Sequence, residues 1–319
     1  GCKGRKIQRN QPGNMPPMRK GYGMKRTKQI KPSAILTGDW HLRETNPICR
    51  TDDFWRAQWK KVDFISDLQK KYDCPVLHSG DLFDHWKPSP YLLATTIKQI
   101  PNQFFTVYGN HDLPQHSLEQ KEKCGLEVLK SAGKLTILPG VHWGQDPEKG
   151  SLLFPTTPDR DVLIWHVMTY KGKPPWPGCT DKPTQEILNK YCYQFDLIVI
   201  GHNHKTFIDD LDDTVRLVNP GSLTRMSADQ VNHQPCVFLW WAQSNTIKRV
   251  GVPHERNVVS REHIDQPQQR KERMEAYINN MESGWQVGLS FEKNLERFFA
   301  KNKVTKKIKE VIWESMELT

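Results

Sequence analysis

The chain has 319 residues, 36% of them hydrophobic and 26% charged, and no apolar run approaches the ~18 residues of a membrane span. Its formal net charge of +10 is unevenly placed: residues 1–32 hold ten Lys or Arg and no Asp or Glu, and the 36 basic residues that remain match the 36 acidic ones. Seven cysteines (Cys2, Cys49, Cys74, Cys124, Cys179, Cys192, Cys236) are scattered singly without a Cys-x-x-Cys, which excludes a disulfide framework or zinc knuckle and leads us to expect a reducing, cytoplasmic setting.

Residues 1–32 are rich in Gly, Pro, Asn and basic residues and read as a disordered tail, either a leader fragment or a functional basic arm. Residues 33–38 read as a buried strand, followed by Asp39-Trp40-His41. Trp55, Trp59, Val62, Ile65 and Leu68 recur at helical spacing and predict a helix over 52–72. A second strand over 75–79 runs into Gly80-Asp81-Leu82-Phe83-Asp84, and Ser89-Pro90 opens the next helix as N-cap and first helical residue. A third strand over 104–108 precedes Gly109-Asn110-His111-Asp112. Ser117 with Gln120 reads as a capping box opening one helix over 117–132, stopped by Gly133.

Short strands are expected at 135–138, 141–144 and 151–155, then a buried strand over 161–165 ending in His166. A Pro/Gly loop over 171–183 leads to a helix through Ile187, Leu188 and Tyr191. The strand at 196–200 is closed by Gly201-His202-Asn203-His204. Strands near 206–209 and 214–218, a type II turn at Asn219-Pro220-Gly221-Ser222, and strands at 236–242 and 246–252 complete a domain spanning 33–252. Residues 253–319 read as a linker followed by amphipathic helices at 268–283, 290–302 and 304–317.

Five strand ends thus deliver Asp39 and His41, Asp81, Asn110 and His111, His166, and His202 and His204. Residues i and i+2 of a strand point the same way, so each spaced pair can face one site. α/β folds place binding sites beyond one edge of the sheet, and imidazole, carboxylate and amide oxygens without thiolate suit manganese, iron or zinc-like ions. A lone histidine after a strand is usually a surface or core residue, and His142, His254 and His263 are read that way.

These stretches together resemble the signature of the calcineurin-like metallophosphoesterases, over residues 33 to about 225. Gly-Asp-Trp-His-Leu, Gly-Asp-Leu-Phe-Asp and Gly-Asn-His-Asp are most similar to the SbcD-type exonuclease subunits of DNA double-strand-break repair. The resemblance implies an α/β four-layer αββα sandwich with a small helical C-terminal extension. It implies two divalent metal ions, manganese by preference. Asp39, His41, Asp81 and His204 would hold one, and Asp81, Asn110, His166 and His202 the other, with His142 as the fallback for His166. His111 is then the candidate general acid and Asp84 its orienter. Trp40, Trp86 and Trp176 are candidates for base stacking, and Lys87 and Arg225 for phosphate contacts, although packing or a solvated charge explains each equally well. The implied activity is a DNA nuclease; a phosphatase or phosphodiesterase of small phosphoesters is the alternative. The expected partners are DNA, an SbcC-like coiled-coil ATPase bound through the C-terminal helices, and a second copy in a homodimer, with no membrane association.

Overall fold

A computed structural model of the chain describes residues 31–139, 141–147, 160–212, 214–265, 271 and 291–317. It divides into two units, Gly1–Ser260 and Arg261–Thr319. The strands of the first unit are β1 (Ala34–Thr37), β2 (Val76–His78), β3 (Phe104–Thr106), β4 (Thr136–Ile137), β5 (Val162–His166), β6 (Thr169–Tyr170), β7 (Lys182–Pro183), β8 (Leu197–Gly201), β9 (Phe207–Leu211), β10 (Val215–Asn219), β11 (Cys236–Trp241) and β12 (Thr246–Gly251). Its helices are α1 (Phe54–Tyr72), α2 (Pro90–Gln99), α3 (Gly125–Ser131) and α4 (Thr184–Tyr191).

The helix ends follow local chemistry. The Asp53 carboxylate accepts the Arg56 N–H at 3.0 Å to start α1, and Asp73 turns left-handed to end it, returning its N–H to the Gln69 carbonyl at 2.7 Å. Ser89 caps α2 through the Leu92 N–H at 3.1 Å, with Pro90 at the first helical position.

Six strands form one sheet in the order β12-β11-β1-β2-β3-β4, and four form a second in the order β5-β8-β10-β9. β1 through β4 are parallel, and β5 and β8 are parallel to each other, so their C-terminal ends share an edge in each sheet. Alternation along the strands sorts two cores. Leu36, Leu77, Phe238 and Trp240 face a core shared with Ile164, Ile198 and Val218 of the second sheet. Ile35, Val76, Phe104 and Leu239 point the other way and pack with Val62 and Ile65 of α1, Leu92 of α2 and Leu126 of α3. Helix α4 lies against β9 and β10 through Ile187, Leu188 and Tyr191. The result is the αββα sandwich expected. Each fully buried aliphatic side chain in it contributes ~1.5–3 kcal/mol.

Several elements differ from expectation. Residues 117–132 are not one helix: a 3₁₀ segment over Leu118–Lys123 gives way at Cys124 to the shorter α3. The 3₁₀ segment buries none of its side chains, so no apolar face holds it helical, and the Gly125 N–H is drawn off to the Trp86 carbonyl at 2.8 Å. Residues 141–144 form no strand. Residues 253–260, read as linker, are tied to the first unit, because the Thr51 N–H reaches the Val258 carbonyl at 3.1 Å and the Ser260 N–H reaches the Cys49 carbonyl at 2.7 Å. The expected strand at 151–155, the helix at 268–283 apart from residue 271, and the tail through residue 30 lie outside the described residues.

In the second unit, α5 (Phe291–Lys301) and α6 (Lys306–Glu317) enclose a small cluster of Leu295, Phe299 and Ile312. Ile308 and Val311 stand about half exposed. Among the described residues the cysteines are free, and no helix is long and apolar enough to cross a membrane.

Candidate metal centre

The strand ends meet where the parallel strands of both sheets finish. The chain leaves β1, β2 and β8 through sharp turns. Asp39, His41, Asp81 and His202 all have left-handed backbones, with φ of 50°, 48°, 57° and 82°. Non-glycine residues rarely hold that conformation, which costs ~1–3 kcal/mol each and persists where its surroundings over-determine it. Here they do. The loop after β1 is knitted to the loop after β2 by the Asp39 N–H to the Gly80 carbonyl, His41 N–H to Asp81 and Leu42 N–H to Leu82, all at 2.9–3.0 Å.

Asp112 fastens the loop after β3 to the same assembly. Its fully buried carboxylate accepts the main-chain N–H groups of Asp81 (2.8 Å), Gly109 (3.1 Å), Phe83 (3.2 Å) and Leu82 (3.3 Å). Gly109 makes the approach sterically feasible, since a Cβ there would lie 2.0 Å from Asp81 Oδ1. Gly221 closes the remaining side at φ 72°, the backbone a type II turn requires after Pro220, and a Cβ would strike the His204 carbonyl at 2.7 Å.

The seven expected ligands lie together. His41 Nε2 is 3.0 Å from His204 Nε2, 3.7 Å from Asp81 Oδ2 and 3.9 Å from Asp39 Oδ1. His166 Nε2 is 3.3 Å from Asp81 Oδ2 and 3.1 Å from Asn110 Oδ1, which is 2.8 Å from His202 Nδ1. Two separate sets result, Asp39–His41–His204 and Asp81–His166–His202, each with its donor atoms within 4.8 Å of one another, and a third set of His41, Asp81 and His111 shares one residue with each of them.

Electrostatics match a cation site. Burial pushes His41 well below the usual histidine range and His202 down to about 4, so both present uncharged nitrogens with lone pairs available. Burial opposes a charge on Asp81, but the His166 imidazole facing it outweighs that and holds the carboxyl far down. Burial likewise opposes a charge on His166, yet the Asp81 carboxylate facing it outweighs that and lifts it to about 9. The donor set fits two divalent cations, because buried imidazole nitrogens and carboxylate oxygens converge in it.

His111 lies against these sets. Its main-chain N–H donates to Asp81 Oδ1 at 2.8 Å, and its ring is edge-on to His41 with centroids 4.7 Å apart. The expected partner of this ring, the Asp84 carboxylate, is not the group that holds it. His111 Nδ1 is 2.8 Å from the main-chain carbonyl of Asp84. The Asp84 carboxylate turns instead to Arg43, at 2.9 Å, and stands 3.8 Å from His41 Nδ1. Carboxylate and carbonyl of one residue face opposite ways, which residue type cannot reveal.

Other residues singled out from the sequence are placed elsewhere. Trp40 is fully buried, with its indole N–H on Thr37 Oγ1 at 2.8 Å, and Trp86 packs on the outer core. Trp176 is exposed, as is Lys87. Arg225 is buried, its guanidinium donating to the carbonyls of Val231, Glu255 and Arg256. His142 Nδ1 takes the Tyr108 N–H at 3.2 Å rather than joining the ligands. The ring beside the centre is Trp143, whose centroid is 4.6 Å from that of His202; nothing in its spacing distinguished it from ten other tryptophans.

The family model described as calcineurin-like phosphoesterase matches residues 33–206, more than half the chain. Among solved structures, an archaeal phosphodiesterase is 12% identical with a TM-score of 0.39, covering 68% of this chain and 98% of its own. A putative 5′-nucleotidase from Staphylococcus aureus is 13% identical with a TM-score of 0.39, covering 75% of this chain and 57% of its own. A metallophosphoesterase from Sphaerobacter thermophilus is 13% identical with a TM-score of 0.34, covering 70% and 89%. No curated protein matches the sequence.

Proposed function

Since the chain belongs to the calcineurin-like phosphoesterases, we propose that it is a metal-dependent nuclease of SbcD type that hydrolyses DNA phosphodiesters using two manganese ions. What supports the nuclease reading is that the motif residues between the ligands are packed as one unit. Trp40, Leu42, Leu82 and Phe83 are at most 1% exposed, Leu42 and Phe83 bridge the two loops, and Asp112 occupies the position where four N–H groups converge. These residues belong to the motifs whose spelling resembles the SbcD type, and their packing holds the two ligand-bearing loops in place.

Two divalent cations bound there would acidify a water and neutralise the phosphoryl oxygens. Asp39, His41, Asp81 and His204 would hold one, and Asp81, Asn110, His166 and His202 the other. The Asp84 carbonyl accepts from His111 Nδ1 and keeps that nitrogen protonated; acting as general acid, the ring would carry a second proton on Nε2 as imidazolium, give it to the leaving oxygen and be left as the neutral Nδ1–H tautomer. Trp143 stands beside His202 at the edge of this site.

Labelled single-stranded, blunt and hairpin DNA, incubated with manganese and then with chelator, tests this reading. Metal-dependent cutting of DNA supports it. Hydrolysis of bis(p-nitrophenyl) phosphate with no cutting of DNA would favour the small-phosphoester reading instead. An SbcC-like ATPase is the partner proposed for α5 and α6, whose half-exposed Ile308 and Val311 offer apolar surface; co-purification of the two proteins tests it.

A further inference from the structure

Three clefts adjoin one another along the first unit. The first, of ≈ 340 Å³, starts at the ligand His204 and is lined by Lys205, Asn232, His233, Gln234 and Arg249. The second, of ≈ 470 Å³, shares Asn232, His233 and Gln234 with it and continues to Arg256, His254 and Arg225. The third, also ≈ 470 Å³, shares Arg225 and His254 with the second and reaches Arg56 and Lys60 on α1. Their linings together carry eight Lys or Arg against four Asp or Glu. Residues 33–319 are formally neutral, so this is a local concentration of charge.

The acids present are partly engaged. Asp52 is paired with Arg50 at 2.6 Å, and Asp53 caps α1. Among the described residues, Arg56, Lys60, Lys205, Arg249 and Arg256 form no ion pair, and all five are exposed. Beneath them, burial pushes Lys61 down to about 7, and the neighbouring Arg50 and Arg225 charges act in the same direction.

We infer that these clefts form one continuous groove that holds the sugar–phosphate backbone of a single nucleic-acid strand and leads it to His204. The inference rests on the nuclease reading and specifies its substrate as a polymer several nucleotides long. Each cleft suits a nucleotide-sized group rather than a duplex. No Trp, Tyr or Phe lines the groove, so recognition runs through phosphates and is indifferent to base.

The test is binding of fluorescent oligothymidylate in EDTA, where no cutting occurs, by the full chain and by the Arg56→Gln/Lys60→Gln variant. A strand of about nine nucleotides should lose about tenfold in affinity, and its salt slope should fall by about 1.4, since each single-strand phosphate contact contributes ~0.7. A dinucleotide, too short to span from His204 to α1, should bind both proteins alike. Melting temperature and manganese content verify that the variant folds. Equal binding of the longer strand by both proteins, equal weakening of dinucleotide and longer strand, or displacement of the strand by poly-glutamate at matched charge would each overturn the groove. Strand binding without cutting on addition of manganese would leave the groove standing and overturn the nuclease reading.

Discussion

Individual side chains carry most of the chemistry. His111→Gln should lower turnover by ~10²–10⁴-fold, the usual contribution of a general acid, with manganese content unchanged by isothermal titration. Asp84→Asn should do much less. The main-chain carbonyl that orients His111 survives the change, and what is lost is the carboxylate's charge beside Arg43 and, at 3.8 Å, His41 Nδ1; the Arg43 pair, about a quarter exposed, contributes at most ~1 kcal/mol, or about fivefold. A loss as large as that of His111→Gln would show that the carboxylate acts directly. Lys61 makes a prediction in pH. Its folded pKa of about 7 lies below the unfolded 10.5, so between those values the unfolded chain binds more protons and stability rises with pH. Below pH 7 the cost of charging the buried amine is fully present. Lys61→Met removes that dependence, so its melting temperature relative to the native protein should be higher at pH 6 than at pH 10. A difference independent of pH would show that Lys61 titrates normally.

At the scale of elements, the central strands were legible because each is a short apolar run that ends beside a polar residue at the sheet edge, whereas the two-residue pair β6 and β7, the latter inside the stretch read as a loop, has no such run. β5 into His166 and β8 into Gly201-His202 are the plainest examples. The ligands could be read for the same reason: they follow strands at spacing that topology brings together. What could not be read was whatever depends on a partner distant in sequence. The expected helix breaks at Cys124, where the Gly125 N–H is taken by the Trp86 carbonyl, and Gly125 packs where a Cβ would strike Pro88; neither neighbour is recorded in the local pattern. Asp112 was visible only as the last letter of a motif, and its four acceptor bonds come from loops thirty residues apart. Glycine sites give the sharpest check. Gly109→Ala would drive a methyl into Asp81 and should abolish tight manganese binding, whereas Gly251→Ala, with open space around it and an ordinary backbone, should bind manganese as the native protein does. Comparable affinities in the two variants would mean that Asp81 tolerates displacement.

Over the whole molecule, the division at Ser260 has an experimental form. A chain ending at residue 260 should keep its cooperative melting transition and its manganese site, because both hydrophobic cores of the sandwich and all seven ligands lie before that point. Loss of the transition would show that the C-terminal helices are needed for folding. The basic tail acts at this scale too. Deleting residues 1–32 removes ten positive charges and should flatten the salt dependence of DNA binding while leaving manganese binding intact. An unchanged slope would assign DNA affinity to the folded body alone.

The clip formed by Asp112 has a consequence for how the protein meets its metal. Because one carboxylate holds the amides of Asp81, Leu82, Phe83 and Gly109, the two ligand-bearing loops are a single rigid piece before any cation arrives. Loading then resembles filling a mould rather than folding around an ion. Those four amides should be among the slowest to exchange with deuterium, at nearly the same rate in EDTA as in manganese, and the heat-capacity change of metal binding should be close to zero. Asp112→Asn, which replaces one acceptor oxygen by a donor facing N–H groups, should make that exchange fast in EDTA and slow only when manganese is added.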